Sequence, residues 1–240
     1  MTELAPLIAI VGADGSGKST IAAAVIGLVR TYGQAETAHL GLKSGHIGRA
    51  IRRIPLIGSR LGKGIQGRAN QARDKSARIP DPFTALVIYA FSQLRVRRFR
   101  QVLRQRMAGK IIVTDRYPQT DVLGFFDGPG LAAARPTGRF TRWLARREFR
   151  QYQWMASFRP SLVIRLNVDV ETAFARKPDH RYDSLRQKVA AAPLLRYGGA
   201  PIIEFDSSMP LDLLVEEVRS AIAAGLDTLG LAPKGGSALP

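Results

Sequence analysis

One segment near the N-terminus constrains the fold of this 240-residue chain more than any other feature. Residues 12–19 read GADGSGKS and match the Walker A pattern G-x-x-x-x-G-K-[ST] without a mismatch. A short apolar run, residues 7–11, precedes the segment, and residues 19–30 after it have helical composition. Glycines let successive backbone N–H groups point at phosphate oxygens, and the start of a helix adds partial positive charge. The segment therefore predicts a loop that binds the phosphates of a nucleoside triphosphate.

The same pattern assigns roles to individual side chains. Lys18 would neutralise the β- and γ-phosphates as a catalytic residue, and the Ser19 hydroxyl would bind Mg²⁺. We therefore expect ATP and Mg²⁺ as cofactors. The predicted nucleotide-binding residues are Gly12, Ala13, Asp14, Gly15, Ser16, Gly17, Lys18, Ser19 and Thr20. The alternative is a glycine-rich turn that only connects a strand to a helix.

The remaining chain alternates segments of strand type and helix type. Further strands are predicted at residues 36–40, 111–114, 162–166 and 201–205, and further helices at 83–108, 140–158, from 170 and at 211–229. Strands separated by helices predict an α/β fold, with a parallel sheet covered by helices on both faces.

Charge is the unusual feature of the composition. The chain has 36 Lys and Arg against 19 Asp and Glu, a net charge of +17, which attracts phosphates, nucleic acid and anionic membranes. The absence of cysteine excludes disulfides, thiolate metal sites and a cysteine nucleophile. The sequence contains no apolar run of about 18 residues, so we expect a cytoplasmic protein, at most peripheral to a membrane.

A carboxylate follows one predicted strand where an acceptor would bind. The apolar residues 111–114 end at Asp115, and parallel strands bring their carboxyl ends to the edge where the phosphate loop lies. Asp115 would hold Mg²⁺ through water or polarise the acceptor oxygen, and Arg116 suits a second anion. The alternative for Asp115 is a helix cap or an ion-pair partner.

These residues carry a family resemblance. The loop with Asp14 inside it, the triplet DRY at 115–117, and the strand 162–166 continuing into NVD at 167–169 resemble the thymidylate kinases and related P-loop nucleotide kinases. The resemblance implies a P-loop NTPase three-layer fold with a parallel five-stranded sheet, a basic insertion and a lid. It also implies that Arg176 and Arg181 are catalytic lid residues, beside Lys18, Asp115 and Arg116.

The resemblance further implies an acceptor-binding set. In this family the loop carboxylate and the DR[YH] triplet lie near the acceptor, and the helix at 83–108 is where its base is bound. The substrate-binding residues predicted on this ground are Asp14, Tyr89, Gln93, Arg95, Arg116 and Tyr117. A core position is the alternative for the aromatic residues of this helix.

Two departures place the chain in a divergent branch with DRYP and DGP segments. It has no TREP-like segment after the second strand, and PQTDVLGFFDGP follows the triplet where thymidylate kinases have SxxAYQ. We expect an ATP- and Mg²⁺-dependent phosphotransferase with a nucleotide-like acceptor. The alternatives are a kinase of a sugar, glycan or lipid-linked acceptor, and a P-loop NTPase that binds nucleic acid or membrane.

The predicted organisation is a kinase domain at 1–231, with a basic insertion at 42–80 and a lid at about 174–190, and a flexible tail at 232–240. The insertion carries ten Lys or Arg and one acidic residue. We expect it to be a solvated lid or dimer arm, or else a surface that binds an anionic membrane, a polyanion or a partner. Whether the protein forms a homodimer is left open. Aromatic residues among the arginines of 95–106 and 139–150 are predicted to be core by their helical spacing, with nucleic-acid binding as the alternative.

Overall fold

The structure is a computed structural model that describes residues 4–41, 82–134, 136 and 138–234. In these ranges five strands form one sheet in which every neighbouring pair is parallel. The strands are β1 (Leu7–Gly12), β2 (Ala35–Ala38), β3 (Ile111–Thr114), β4 (Leu162–Asn167) and β5 (Ile202–Asp206). The spatial order is β2-β3-β1-β4-β5, so β1 lies in the centre, between β3 and β4.

Helices cover both faces of this sheet. They are α1 (Lys18–Tyr32), α2 (Pro82–Met107), the single turn α3 (Gly130–Ala133), α4 (Arg139–Ala156), α5 (Val170–Arg176), α6 (Tyr182–Ala191) and α7 (Leu211–Thr228). Two 3₁₀ turns, Ala192–Leu194 and Tyr197–Gly199, join α6 to β5.

Alternation along β1 divides the core into two clusters. Ile8 and Ile10 pack with α1 and α7 on one face of the sheet, whereas Leu7, Ala9 and Val11 pack with α2 and α4 on the other. Every residue of β1 is buried, as expected for a central parallel strand. The predicted α/β P-loop NTPase fold is confirmed.

Two helices were not predicted. Within the Gly/Pro-rich segment 127–138 the chain forms α3, because the buried Glu148 carboxylate of α4 accepts a 2.8 Å hydrogen bond from the Leu131 N–H at its start. Helix α6 lies inside the predicted lid and buries only Leu185 and Ala191, too few apolar positions to produce a helical pattern in the sequence.

Parts of the predicted organisation fall outside the described residues, namely the basic insertion at 42–80 and residues 235–240 of the tail. No helix in the described ranges has an apolar stretch long enough to cross a membrane.

Candidate functional site

The sheet topology brings the phosphate loop and Asp115 to the same edge. The loop follows β1 and Asp115 follows β3, which is hydrogen-bonded to β1. On the other side β1 pairs with β4, so the strand order reverses at β1. Open α/β sheets bind their ligands at such a switch point, beyond the carboxyl ends of the strands.

Close packing of the loop requires glycine at two positions. Gly12 has φ +148°, and a Cβ there would collide with the carbonyl oxygen of Leu166 in β4. Gly15 has φ +89°, and a Cβ there would lie 2.8 Å from the carbonyl oxygen of Ala173 in α5. Ser16 Oγ is buried in the loop and has no hydrogen-bond partner in the described part of the chain. The loop thus has a tight backbone and an unpaired polar group, as a phosphate cradle requires.

Lys18 begins α1 and folds back over the loop. Its Nζ donates a 2.5 Å hydrogen bond to the Ala13 carbonyl oxygen. Burial and the nearby Arg116 guanidinium lower the pKa of Lys18 to about 8, against the opposing effect of Asp14. The neighbouring carboxylates therefore do not fully offset the cost of burying the charged ammonium group of Lys18, and a bound phosphate would supply the missing negative charge.

Ser19 and Asp115, the predicted magnesium ligands, lie in direct contact. Ser19 Oγ donates a 3.0 Å hydrogen bond to Asp115 Oδ2. Burial would raise the pKa of Asp115, but hydrogen bonds from His39 and Ser19 and the charge of Arg116 lower it. A hydroxyl and an ionised carboxylate fit Mg²⁺, which binds few protein ligands and keeps several waters. Among the described residues no group of three or more His, Asp and Glu side chains is arranged to hold a metal.

His39 is a site residue that the sequence analysis missed. It follows β2, which pairs with β3, and its Nδ1 lies 2.7 and 2.8 Å from the two carboxylate oxygens of Asp115. The rule that identified Asp115, a polar residue just after a strand, did not reach His39, because the strand predicted at 36–40 extends two residues past the end of β2 and includes it.

Arg116 lies between two carboxylates. Its Nη2 is 3.5 Å from Asp14 Oδ1, and its Nη1 is 3.8 Å from Asp127 Oδ1. Asp127 contributes most to raising the pKa of Arg116, against burial. Lys188 of α6 also contacts Asp14, at Oδ2, so Asp14 joins the two cations.

Asp14 is ionised in this arrangement. Burial would raise its pKa, but the charges of Lys188, Lys18 and Arg116 hold it well below the usual range of a carboxyl group. His180 Nδ1 approaches the same carboxylate at 3.7 Å.

These groups surround one small cavity of about 40 Å³. Its lining residues are Val11, Gly12, Asp14, Lys18, Asp115, Arg116, Phe126, Asp127, Lys188 and Tyr197. The cavity therefore joins the phosphate loop, Asp115 of the predicted magnesium pair and the two cations Arg116 and Lys188.

The structure brings one of the two predicted lid arginines to the loop. Arg176, the last residue of α5, donates to the Gly15 carbonyl oxygen at 3.3 Å and to the Ser207 carbonyl oxygen at 3.0 Å. Arg181 is exposed immediately before α6 and is not among the described residues that line the cavity. Thr20 is exposed on α1.

Four predicted substrate-binding residues do not line the cavity. Tyr89 and Gln93 lie at the boundary between α2 and α4, where Gln93 forms reciprocal hydrogen bonds of 2.7 and 3.1 Å with Gln151. Tyr117 is buried, and its hydroxyl donates to the Phe158 carbonyl oxygen.

Arg95 is the fourth and lies fully enclosed beneath the cavity. Its guanidinium donates to Leu40 O at 3.1 Å, Tyr152 OH at 2.6 Å, Asp127 O at 3.2 Å and Asp127 Oδ1 at 2.8 Å. Because Asp127 also approaches Arg116, Arg95 touches the site through Asp127. The roles predicted for these four residues stay predictions.

Asp127 and Lys188 also escaped the sequence analysis. Asp127 belongs to the DGP segment, which was noticed there without a role. Lys188 lies inside the predicted lid, but nothing in the sequence distinguished it from the other cations there, since helix α6 was not predicted.

A central strand that enters a glycine-rich loop and a helix, with a carboxylate after the adjacent parallel strand, defines the P-loop NTPase class. No protein-family model matches the chain. It is 43% identical over 221 residues to the uncharacterized ATP-binding protein YghS of Escherichia coli (strain K12), covering 92% of this chain and 93% of the relative. It is 39% identical over 218 residues to the uncharacterized ATP-binding protein YghR of the same strain, covering 90% and 86%. The chain belongs to the family of ATP-binding proteins that includes YghS and YghR.

Proposed function

We propose that the protein is an ATP- and Mg²⁺-dependent phosphotransferase. The observation that carries this proposal is the cavity that the phosphate-loop lysine, Lys18, lines together with two further cations, Arg116 and Lys188. A nucleotide hydrolase needs the first of these charges. The additional pair, which Asp14 and Asp127 hold at the cavity, suits a second anionic group beside the triphosphate, which is what an acceptor phosphate would be.

Donor binding follows from the loop. The names of both relatives record ATP binding, and the tight backbone and unpaired Ser16 hydroxyl of this chain fit a bound phosphate. Ser19 and Asp115 would hold the magnesium ion, which when bound would neutralise charge on the phosphate oxygens.

The chain's own groups contribute position and charge. In the proposed transfer an acceptor oxygen forms a bond to the γ-phosphorus while the bond from that phosphorus to the ADP oxygen breaks. Lys18 stabilises negative charge at the donor phosphates, and Arg116 and Lys188 hold the acceptor's anion. Such a reaction needs little covalent help from the protein, because alignment and charge neutralisation supply most of the catalysis.

We propose a nucleotide-like acceptor, on the strength of the thymidylate kinase resemblance and the paired cations. A sugar, glycan or lipid-linked acceptor is the second candidate. It is favoured by the positions of Tyr89 and Gln93, which lie outside the cavity and leave it without the predicted base-binding groups.

The test is to incubate the protein with ATP, Mg²⁺ and a panel of nucleoside monophosphates, following ADP and the mass of each product. We expect one monophosphate to become its diphosphate, and Lys18→Ala to lower turnover by about 10²–10³-fold. Lys234→Ala, which removes an exposed lysine near the chain's end, is the matched control.

Phosphorylation of a sugar or lipid-linked alcohol instead would favour the second candidate. ADP release that nucleic acid or vesicles stimulate without any phosphorylated product would contradict the phosphotransferase and indicate an NTPase.

A further inference from the structure

Helices α2 and α4 give one side of the molecule an unusual charge. Together they contain eleven arginines and one carboxylate, Glu148, which is fully buried. Exposed arginines on both helices form what we call the arginine face, represented by Arg97, Arg100, Arg104, Arg146, Arg147 and Arg150. No acidic side chain of either helix lies among them to neutralise their charge.

Large apolar side chains are exposed on the same face. Phe140 is 48% exposed, Trp143 46% and Trp154 36%. The sequence analysis predicted such aromatics to be core, which is right for Phe99 and wrong for Phe140 and Trp143. An exposed apolar cluster rimmed by charge is typical of an interaction site.

The two helices form one continuous surface. They run side by side in the same direction, since Ser92 contacts Glu148 and Arg95 contacts Tyr152 further along both helices. At the end of this contact the Arg100 guanidinium lies 5.7 Å from the centre of the Trp154 ring. Arg100 of α2 is therefore a neighbour of Trp154, and Arg147 of α4 is a neighbour of Trp143.

The rings are poorly placed to stack on nucleic-acid bases. Phe140 stacks on Trp143, with ring centres 6.1 Å apart and 22° between the planes, and the Arg147 guanidinium lies 5.4 Å from the centre of the same indole. Phe140 precedes Trp143 by three residues and Arg147 follows it by four, so the two lie on opposite sides of the ring along the helix. The exposed indole thus already has a ring and a guanidinium as close neighbours, whereas binding single-stranded nucleic acid relies on free aromatic faces.

A second copy of this chain is also a poor fit. A symmetric dimer would place the same patch on both sides of the contact and oppose arginine with arginine. Like charges across an interface cost several kcal/mol.

We propose that the arginine face binds the surface of an anionic lipid membrane. Arginines there would lie among the lipid phosphates, while Trp143, Phe140 and Trp154 enter the boundary between headgroups and acyl chains. This binding requires exposed apolar edges and unneutralised positive charge, and both are present. It needs no free ring face and does not depend on the proposed phosphotransfer.

The test uses the intrinsic fluorescence of the full chain. The sequence has two tryptophans, and both are on this face, so Trp154→Phe leaves Trp143 as a single reporter. Probes are vesicles of phosphatidylcholine alone and vesicles in which about a third of the lipid is phosphatidylglycerol. We expect a blue shift of Trp143 emission, and quenching by brominated acyl chains, only with the anionic vesicles and less at high salt.

Two matched triple variants show whether this face is responsible. Arg97→Ser/Arg100→Ser/Arg104→Ser should lower the vesicle partition coefficient about 100-fold, because each arginine near an anionic surface contributes about fivefold. Arg30→Ser/Arg219→Ser/Lys234→Ser removes as much charge from residues on or beside α1 and α7, across the sheet, and should change it little. Circular dichroism checks that both variants are folded, and Phe140→Ser in the Trp154→Phe chain, which keeps all charges and the Trp143 reporter, should weaken the bromine quenching.

Three results would overturn the proposal. One is the absence of a Trp143 shift with anionic vesicles, and another is an equal loss of binding in the two triple variants. The third is a shift seen only with an oligonucleotide, or only on self-association at high protein concentration, which would assign the face to nucleic acid or to a second copy.

Discussion

The two faces of the sheet are built differently. On the side of α1 and α7 the core is almost entirely aliphatic, and the outer surface of α7 carries Asp212, Glu216 and Glu217 beside a single arginine. On the side of α2 and α4 the interior encloses Arg95 and Glu148, and the outer surface is the arginine face. The first side gains stability from simple packing. The second side has less aliphatic packing, because buried polar groups occupy part of its interior, and one of them, Arg95, contacts the site residue Asp127.

That contrast has an energetic consequence. Burying an aliphatic side chain contributes about 1.5–3 kcal/mol without needing any particular partner. A buried ion pair contributes little net stability, but removing one member leaves an uncompensated charge. Single substitutions on the α2/α4 side should therefore affect both stability and the site, whereas those on the α1/α7 side should affect stability alone.

The largest effect is expected from Arg95→Met. It leaves the buried Asp127 carboxylate without its nearest partner, with only the more distant Arg116 remaining, and should lower the free energy of unfolding by about 3–5 kcal/mol. Because Asp127 also approaches Arg116, the variant should weaken acceptor binding in the proposed reaction. Urea denaturation and acceptor KM measure the two effects. Arg97→Met, two residues along the same helix but exposed, is the control. Equal losses of stability and of acceptor binding in the two variants would show that burial of Arg95 is not the cause.

A smaller effect, confined to stability, is expected from Ile222→Ala in α7. Ile222 is fully buried against β1 and α1, so the cavity left behind should cost about 3 kcal/mol of unfolding free energy. Ile222→Val should cost about 1 kcal/mol. Well below the melting temperature kcat and KM should stay unchanged, and a change in KM would show that this side also shapes the site.

The smallest effect concerns pH. Burial raises the pKa of Glu148, against hydrogen bonds from Ser92 and the start of α3. A carboxyl group with a raised pKa binds its proton more tightly in the folded state, so its contribution to stability falls as pH rises from the ordinary glutamate value through the raised one. In Glu148→Gln the free energy of unfolding should lose this dependence on pH. It should also fall by about 1 kcal/mol, because the hydrogen bonds at this position are altered.

The measurement is the difference in unfolding free energy between wild type and variant across pH, which cancels the opposing contributions of Asp14 and Asp115. Glu216→Gln, on the exposed surface of α7, is the control. A wild-type-minus-variant difference that does not vary with pH would show that Glu148 does not titrate between the two values.

Local signals explain what the sequence predicted. The Walker segment, the strand at 111–114 and the start of α5 at Val170 were predictable because residue spacing or a motif within a few positions determines them. Ser19 and Asp115 meet because parallel strands bring their carboxyl ends to one edge, a rule that holds without knowing the packing.

The remainder depends on contacts between distant parts of the chain. The start of α3 is capped by Glu148, and Lys188 reaches Asp14 from a helix with little apolar pattern. Phe140 and Trp143 show another limit: spacing indicates that residues share a side of a helix but not whether a neighbour covers it. In α4 the covered side is Thr141, Leu144, Ala145, Glu148, Tyr152 and Met155.

The packing of Gly15 links the loop mechanically to the segment beyond it. With room for no more than a hydrogen atom between Gly15 and the Ala173 backbone, the loop packs directly against α5. Arg176, one turn further along α5, donates hydrogen bonds to the carbonyl oxygens of Gly15 and Ser207. Helix α5 therefore contacts the loop through both the Ala173 backbone and the Arg176 side chain. Residues 177–190 of the predicted lid therefore follow a helix that packs on the predicted phosphate loop, and we expect any motion of these residues to pivot from that contact.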